Sequence, residues 1–361
     1  MLITSQPSLD SIIRKVEYGE RLTLEDGLTL FESNDIATIG QLANLVNTRK
    51  NGNNVYFIQN RYLNPTNVCN AHCSFCGFRR DPGEDGAYTM THEEIVEAVR
   101  PDAHKIREVH IVGGHNHTVP FSYYVETVRV LKTHFPHIAV KAYTGAEIQF
   151  FSELSGKSVE AVLAELKEAG LDSLTGGGAE ILSERYRQKV CSDKATVEQW
   201  LNAHRTAHKM GIKTHATMLY GLIETYEERL QHMLYLREIQ DETGGFLTFI
   251  PLAYQPRTYS VTKRTAAFDD LKTIAISRLM LDNFDHIKAY WIDLGTKIAQ
   301  VALGFGADDL HGTLIEEKIS HAVKPEANEM ALTVDELVWL IKSAGRTPVE
   351  RDTFYNPIRT F

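Results

Sequence analysis

NVYFIQNRYL (54–63) is a β-branched and aromatic run, and it passes directly into NPTNVCNAHCSFCGFRR (64–80), a polar loop carrying three cysteines. A strand that ends in such a loop and is followed by an amphipathic stretch is the first part of a strand–crossover–strand unit. Working outward, further runs of the same kind fall at about 108–112, 138–143, 171–175, 214–219, 246–250, 286–290 and 307–310, the last being the weakest. Longer amphipathic segments separate them, the alternation expected of a parallel sheet with crossover helices. Eight repeats predict an α/β fold, a (β/α)8 barrel of TIM type.

The helix starts agree with that count. Ser or Thr followed three residues later by Glu or Gln satisfies orphan amides at a helix N-terminus in both directions. Thr91/Glu94, Thr196/Gln199 and Thr225/Glu228 open crossover helices in this way, and Thr333/Glu336 opens a helix in the C-terminal tail. Gly170 and Gly211 stand where two helices should stop before the next strand. Ahead of the barrel, apolar spacing around Leu9, Ile12, Ile13 and Val16, then through Leu22–Phe31 and Ile36–Val46, reads as short helices. No low-complexity stretch or linker of interdomain length appears. The expected organisation is therefore an N-terminal helical extension (1–53), a barrel (54–312) and a C-terminal helical extension packing on it (313–361).

Composition excludes several classes. The 361 residues are 43% hydrophobic and 24% charged, enough apolar material for a sizeable core. With 38 Lys and Arg against 47 Asp and Glu, the net charge of −9 argues against a nucleic-acid partner. No stretch approaches the ~18 apolar residues of a membrane helix, and residues 1–20 lack the basic-then-apolar pattern of a signal peptide. A cytoplasmic address without membrane insertion is expected.

Four cysteines are too few for a disulfide framework, but three of them, Cys69, Cys73 and Cys76, lie within eight residues on the loop after the first strand. Barrel active sites form in those loops. Three clustered thiolates can hold an iron–sulfur cluster, each binding one iron, and a cubane then keeps a fourth iron open to a small molecule. Structural zinc with His72 or a distant residue as fourth ligand is the weaker reading, because no second Cys/His pair with zinc spacing follows. Inert thiols are weaker still, since free cysteines scatter singly through cores. Cys191 stands outside the cluster and is expected to pack as a small apolar residue.

The C-x3-C-x2-C motif, with aromatic Phe75 before the third cysteine, resembles the signature of the radical S-adenosylmethionine (SAM) superfamily. That resemblance implies a [4Fe-4S] cluster bound by Cys69, Cys73 and Cys76, with SAM at its open iron. It also implies cofactor contacts from Phe75, from Gly113 and Gly114 in VHIVGG (109–114), from Glu180 in LTGGGAEI (174–181), and from Gly221 and Glu224 in the GxxE of MLYGLIET (218–225). A longer set of segments narrows the resemblance to the aminodeoxyfutalosine synthases of the futalosine route to menaquinone. These include NPTNVC (64–69), KAYTGAEI (141–148), HRTAHKMGIKTHATMLYG (204–221), FIPLAYQP (249–256), HIKAYWIDLGTKIAQVALGFGADDLHGT (286–313) and AGRTPVERDTFYN (344–356). The chain departs from the commoner family pattern at Gly114-His115-Asn116-His117, at Thr175 and at Gly77.

Membership of that family implies a transferase. The 5′-deoxyadenosyl radical adds to the methylene of 3-[(1-carboxyvinyl)oxy]benzoate, the aryl group migrates, and a carboxylate is lost. The products are 6-amino-6-deoxyfutalosine and methionine, so SAM is consumed as a co-substrate. A reductase or flavodoxin-type electron donor is the expected protein partner, and a homodimer the expected assembly if the chain self-associates. The competing readings are the cyclic dehypoxanthine futalosine synthase of the same pathway and a zinc-stapled, non-catalytic small-molecule-binding barrel.

A substrate with two carboxylates needs fixed cations, and Arg79, Arg257 and Lys288 are the candidates. His110, in the second strand, is a candidate acid/base or polar orienter, and His115, on its loop, a candidate substrate contact. Each has an ordinary alternative: a solvated charge for Arg or Lys, a satisfied core residue for His. His204 and His208 share a helix face but lack the HExxH glutamate, and Gly176-Gly177-Gly178 lacks a phosphate-loop ending. Close approach to the cofactor is the better account of those glycines.

Overall fold

The computed structural model describes residues 9–255, 265–313, 315, 318–319 and 331–361. Helices α1 (Asp10–Tyr18), α2 (Leu24–Glu32) and α3 (Ile36–Asn51) precede strands β1 (Asn54–Ile58) and β2 (Asn60–Leu63). The chain continues through α4 (His92–Val99), β3 (Glu108–Ile111), α5 (Phe121–His134), β4 (Ala139–Ala142), α6 (Gly145–Ser155), α7 (Val159–Glu168) and β5 (Ser173–Leu174). The second half holds α8 (Glu184–Val190), α9 (Val197–Lys209), β6 (Lys213–Tyr220), α10 (Tyr226–Thr243), β7 (Phe246–Ala253), α11 (Ala267–Met280) and β8 (His286–Ile287). It ends with α12 (Trp291–Leu294), α13 (Thr296–Ala302), β9 (Asp309–Gly312), α14 (Val334–Ser343), β10 (Thr347–Arg351) and β11 (Pro357–Thr360).

Strands β2 to β8 form a curled parallel sheet in sequence order. β9 bridges its two ends. On one side Asp308 N–H donates to Ile287 O (3.0 Å) and Ala289 N–H to Asp309 O (2.8 Å). On the other, Tyr56 N–H reaches Asp308 O (2.7 Å), Thr313 N–H reaches Ile58 O (3.1 Å) and Tyr62 N–H reaches Ile315 O (2.9 Å). The ring of eight predicted runs thus closes through backbone hydrogen bonds, as a (β/α)8 barrel requires.

The first run differs from its prediction in one respect: it is split at Gln59. Residues 54–57 pair with β10, whereas 60–63 pair with β3 on the same edge. At the hand-over Gln59 O accepts from Arg107 N–H (2.7 Å) and Gln59 Nε2 donates to Glu350 (2.9 Å). The tail therefore contributes, besides the expected helix α14, a strand β10 that extends the barrel wall and an antiparallel partner β11.

The predicted boxes at Thr91, Thr196, Thr225 and Thr333 all form, and so do two others, Thr23/Asp26 and Thr144/Glu147. Gly170 (φ 107°) and Gly211 (φ 77°) end α7 and follow α9 in the left-handed region expected of them. Strand residues on the outward face pack beneath the helices. Val109, Ile111, Val140 and Ala142 meet Ile95, Val99 and Val128, while Ala216, Met218 and Ile287 meet Leu230, Met233 and Ile274. Each such buried Val, Ile, Leu or Met side chain contributes about 1.5–3 kcal/mol. Helices α2 and α3 pack on α10 and α11, so the N-terminal extension covers the barrel flank. Among the described residues no helix is long and apolar enough to cross a membrane.

Candidate active site

The cysteine loop is braced before any ligand arrives. Cys69 N–H donates to Arg80 O (3.1 Å), Asn70 N–H to His115 O (3.1 Å) and Ser74 N–H to Val190 O (3.0 Å). Gly114 N–H donates to Thr66 O (2.9 Å), and His115 N–H donates to Cys69 Sγ (3.2 Å). The loop thus rests on the end of β3 and the end of α8. Gly114 is what allows the approach: a Cβ there would lie 2.1 Å from Val68 O.

Cys69, Cys73 and Cys76 line one cavity of about 260 Å³ at the strand ends, together with Phe75, Arg79, Gly113, Gly114, His115 and Glu180. A larger hollow of about 820 Å³, lined by Phe121, Tyr123, Arg129, Lys157 and Glu165 among others, lies on the helix flank. No described cysteine reaches it, and barrel chemistry belongs at the strand ends. Among the described residues no three His, Cys, Asp or Glu side chains converge tightly enough for a single metal ion. His72 is exposed and faces Asp81 (3.5 Å) and Asp193 (3.3 Å) instead. A cluster asks for something else, since each thiol binds a different iron around one shared space. Burial pushes the Cys73 thiol up to about 12 and the Cys69 thiol in the same direction, so metal must displace their protons. The donor set and the amide aimed at Cys69 fit a [4Fe-4S] cluster.

Glu180 and Lys194 add a charged pair to the cavity lining. Glu180, at φ 48°, pairs with Lys194 (2.7 Å), and Lys194 lies 5.6 Å from the Phe75 ring centroid. Buried Arg187 holds both in place, with Nη1 donating to Ala179 O (2.6 Å) and Nε to Ala195 O (2.9 Å). Gly177 and Gly178 line the cavity too, and a Cβ on Gly178 would lie 2.6 Å from Ala146 Cβ. Neither Lys194 nor Arg187 carries a sequence signal, because only the folded 175–196 segment brings them here.

Glu147 also lines the cavity. As the capping residue of α6 it accepts from Thr144 N–H (2.8 Å), and its other oxygen accepts from Gly113 N–H (3.2 Å), fixing the glycine pair. Burial pushes its carboxyl from 4.5 up to about 7, against those two amides, which favour the anion. A folded-state value above the unfolded one means that its stabilising contribution is complete below about pH 4.5 and is lost as pH rises through 7. Relative to wild type, Glu147→Gln should therefore gain stability between pH 5 and 8, on the order of 2 kcal/mol. Melting curves at both pH values check this, and parallel pH profiles would contradict it.

Below the cavity the barrel interior is polar rather than packed with branched aliphatics. Strand alternation turns Tyr62, Glu108, His110, Lys141, His215, Lys288, Asp309 and His311 inward, beneath Val112, Leu219 and Leu252 of the cavity wall. This places the predicted His110 and Lys288 one layer below the cavity lining, not on it. Burial drives His110 well below the ordinary histidine range.

The remaining predicted residues divide. Arg79 lines the cavity and bonds Asp81. His115 lines it too, stacked on Phe150 at 4.9 Å, and burial lowers it to about 3, so it stands there as a neutral ring and not as a cation. Gly221 and Glu224 lie beside the cavity in a turn of their own. Glu224 accepts from Gly221 N–H (2.5 Å) and Leu222 N–H (2.9 Å) and pairs with Arg229 (2.9 Å). Arg257 lies outside the described residues. His204 and His208 both bond Thr214 Oγ1 (2.9 and 2.8 Å) on the helix side of the sheet, a structural arrangement. Cys191 is buried, as expected of an apolar residue, but belongs to the same small cluster as Cys69 and Cys73 and lies beside Cys73.

Comparison with known proteins agrees with this geometry. Residues 63–236 match the family described as the Radical SAM superfamily, and residues 243–360 match the CofH/MqnC C-terminal region. The chain is 48% identical to the aminodeoxyfutalosine synthase of Thermus thermophilus, over 98% of this chain and 97% of that one. It is 45% identical to the aminodeoxyfutalosine synthase of Streptomyces coelicolor, over 96% and 93%. In structure it resembles the FeFe-hydrogenase maturase HydG of Carboxydothermus hydrogenoformans, with a TM-score of 0.74 at 18% identity, covering 96% of this chain and 80% of the other.

Proposed function

We infer the reaction from one premise: the chain belongs to the radical SAM superfamily, in the group that carries the CofH/MqnC C-terminal region. It is an enzyme that uses a [4Fe-4S] cluster and SAM, and its activity is that of an aminodeoxyfutalosine synthase. The substrates are SAM and 3-[(1-carboxyvinyl)oxy]benzoate, and the products 6-amino-6-deoxyfutalosine and methionine. The observation that carries the reading is the 48% identity across both full lengths, joined to three thiols facing one cavity at the strand ends.

When bound, the cluster supplies the electron that cleaves the sulfonium of SAM. The residues of the chain bind, orient and exclude water. The glycine pair lines the cavity beside the thiols with its Gly113 N–H held by Glu147, and the absence of side chains there leaves room for the polar end of SAM. Glu180, locked by Lys194, offers a carboxylate edge to ribose hydroxyls. Arg79 and Phe75 line the cavity beside the thiols, and Arg79 is placed to meet a substrate carboxylate. Arg257, the other candidate arginine, lies outside the described residues. His110, neutral beneath the cavity, suits a hydrogen-bond role toward the substrate better than a charged one. Residues 54–312 form the catalytic barrel in this reading, and 1–53 and 313–361 its extensions. The electron comes from a reductase or flavodoxin-type donor in the cytoplasm.

Product analysis tests the assignment. The anaerobically reconstituted, reduced protein should convert SAM and the enol-ether benzoate to an adduct whose mass contains both the adenosyl and the aryl parts. Formation of 5′-deoxyadenosine alone, with an intact cluster, would instead favour hydrogen abstraction of the kind the cyclic dehypoxanthine futalosine synthase reading requires.

A further inference from the structure

The polar layer beneath the cavity has an unequal charge count. Its ionic groups, among the described residues, are the cations Lys141, Lys288 and Arg351 and the carboxylates Glu108 and Asp309. Lys141 pairs with Glu108 (2.5 Å), and Arg351 with Asp309 (2.7 Å). Lys288 is left with the weaker share of Asp309, at 3.8 Å, although its side chain is wholly buried. The histidines that face it, His110, His215 and His311, are all driven toward the neutral form by burial and by the nearby cations, so they add no compensating charge. A buried ammonium with half a partner must either shed its proton or meet an anion.

The neighbours of Lys288 are fixed in place. His311 occupies the left-handed region (φ 78°), a conformation seldom kept by a non-glycine residue without a reason. From there Nδ1 lies 3.0 Å from Lys288 Nζ, and Nε2 lies 2.9 Å from Tyr62 OH. The Tyr62 ring stacks on His110 at 4.3 Å. His110 keeps part of its surface accessible although its strand neighbours Val109 and Ile111 are buried under the helices, so that surface faces the barrel interior. Its Nδ1 has no hydrogen-bond partner among the described residues.

We propose that this layer is a carboxylate seat: the substrate's carboxylate enters above Lys288 and His110, and Lys288, steadied by His311 and Tyr62, takes up one proton as it binds. The proposal rests on the reaction assigned above and specifies which group the barrel floor holds. The ring carboxylate, which survives the reaction, is the one a cation should hold, because a cation paired with the carboxylate to be lost would oppose its departure. Burial lowers Lys288 to about 7, which sets the pH at which the uptake becomes visible.

The test is calorimetric titration of 3-[(1-carboxyvinyl)oxy]benzoate into the cluster-loaded, unreduced enzyme with SAM, in buffers of different ionisation enthalpy. About 0.9 proton should be taken up per substrate at pH 8 and about 0.1 at pH 6, with Kd rising up to tenfold per pH unit above 7. Lys288→Met should abolish the uptake and weaken binding at least ~100-fold. That variant should fold, since Lys141–Glu108 and Arg351–Asp309 remain paired, and its ligand-free melting temperature should equal or exceed that of wild type. His311→Asn, which tolerates the positive φ, should weaken binding by about tenfold with the uptake reduced. Tight binding with no proton uptake at pH 8, or wild-type affinity in Lys288→Met, would overturn the seat alone. No binding of the substrate at either pH would overturn the reaction assignment, and the seat with it.

Discussion

Replacing Gly114 by alanine is expected to leave the barrel folded and its site without a cluster. The added Cβ would lie 2.1 Å from Val68 O, 2.7 Å from Val68 C and 3.0 Å from Cys69 Cβ, and the first two are backbone atoms that cannot rotate away. Nor can the two segments part easily, because Gly114 N–H, Asn70 N–H and His115 N–H all tie this turn to the cysteine loop. Overpacking of this kind costs about 1–3 kcal/mol where neighbours can move, and more where they are hydrogen-bonded backbone. Relieving the clash therefore means breaking those ties, which carries Cys69 out of register with Cys73 and Cys76. Iron and acid-labile sulfide per chain should fall below about a tenth of the wild-type content, and product formation by at least ~100-fold. Gly113→Ala is the control, since its Cβ would approach Thr66 O only to 3.3 Å and should cost less than about tenfold. Equal cluster content in Gly114→Ala and wild type would show that the close approach is not required.

What the sequence made legible follows from how local each signal was. The barrel count came from runs whose outward face is apolar, and the cysteine loop from spacing alone, so both survive in the structure. Glu147 carried a legible signal, the Thr144-x-x-Glu147 box, but it is hidden where the predicted strand 138–143 runs straight into the helix. The polar barrel floor was likewise written in VHI, VKA, HIKA and DLH, each with a charged or imidazole residue at the inward position. Barrel interiors are ordinarily filled by branched aliphatics, so such residues read individually as isolated polar positions until strand pairing brings them into one layer. Lys194 and Arg187 carried no signal at all. Their roles depend on the loop after α8 folding back across Glu180, a long-range contact that no local pattern encodes. The split of the first run at Gln59 has the same origin, since it reflects which partner occupies the edge, β10 below and β3 above.

The fourth cysteine makes a sharper test of the site than the motif does. Cys191 is buried at the end of α8 and lies beside Cys73, held there by the Ser74 N–H bond to Val190 O. Proximity alone would make it a candidate ligand. The cavity argues otherwise: Cys69, Cys73 and Cys76 line it, whereas Cys191 does not, so a cluster seated among the first three has Cys191 behind its wall. Burial also holds the Cys191 thiol above its ordinary range, which keeps it protonated unless a metal reaches it. Cys73→Ala should then reduce product formation by at least ~1,000-fold and prevent assembly of a four-iron cluster, because one iron loses its only protein ligand. Cys191→Ala removes a small buried side chain and should cost about 1 kcal/mol of stability while keeping full iron and sulfide content. Electron paramagnetic resonance of the reduced proteins separates the cases, with a four-iron signal that shifts on adding SAM in Cys191→Ala and none in Cys73→Ala. A normal cluster in Cys73→Ala, lost only when Cys191 is also removed, would mean that the two thiols can exchange places and that the loop is looser than its hydrogen bonds imply.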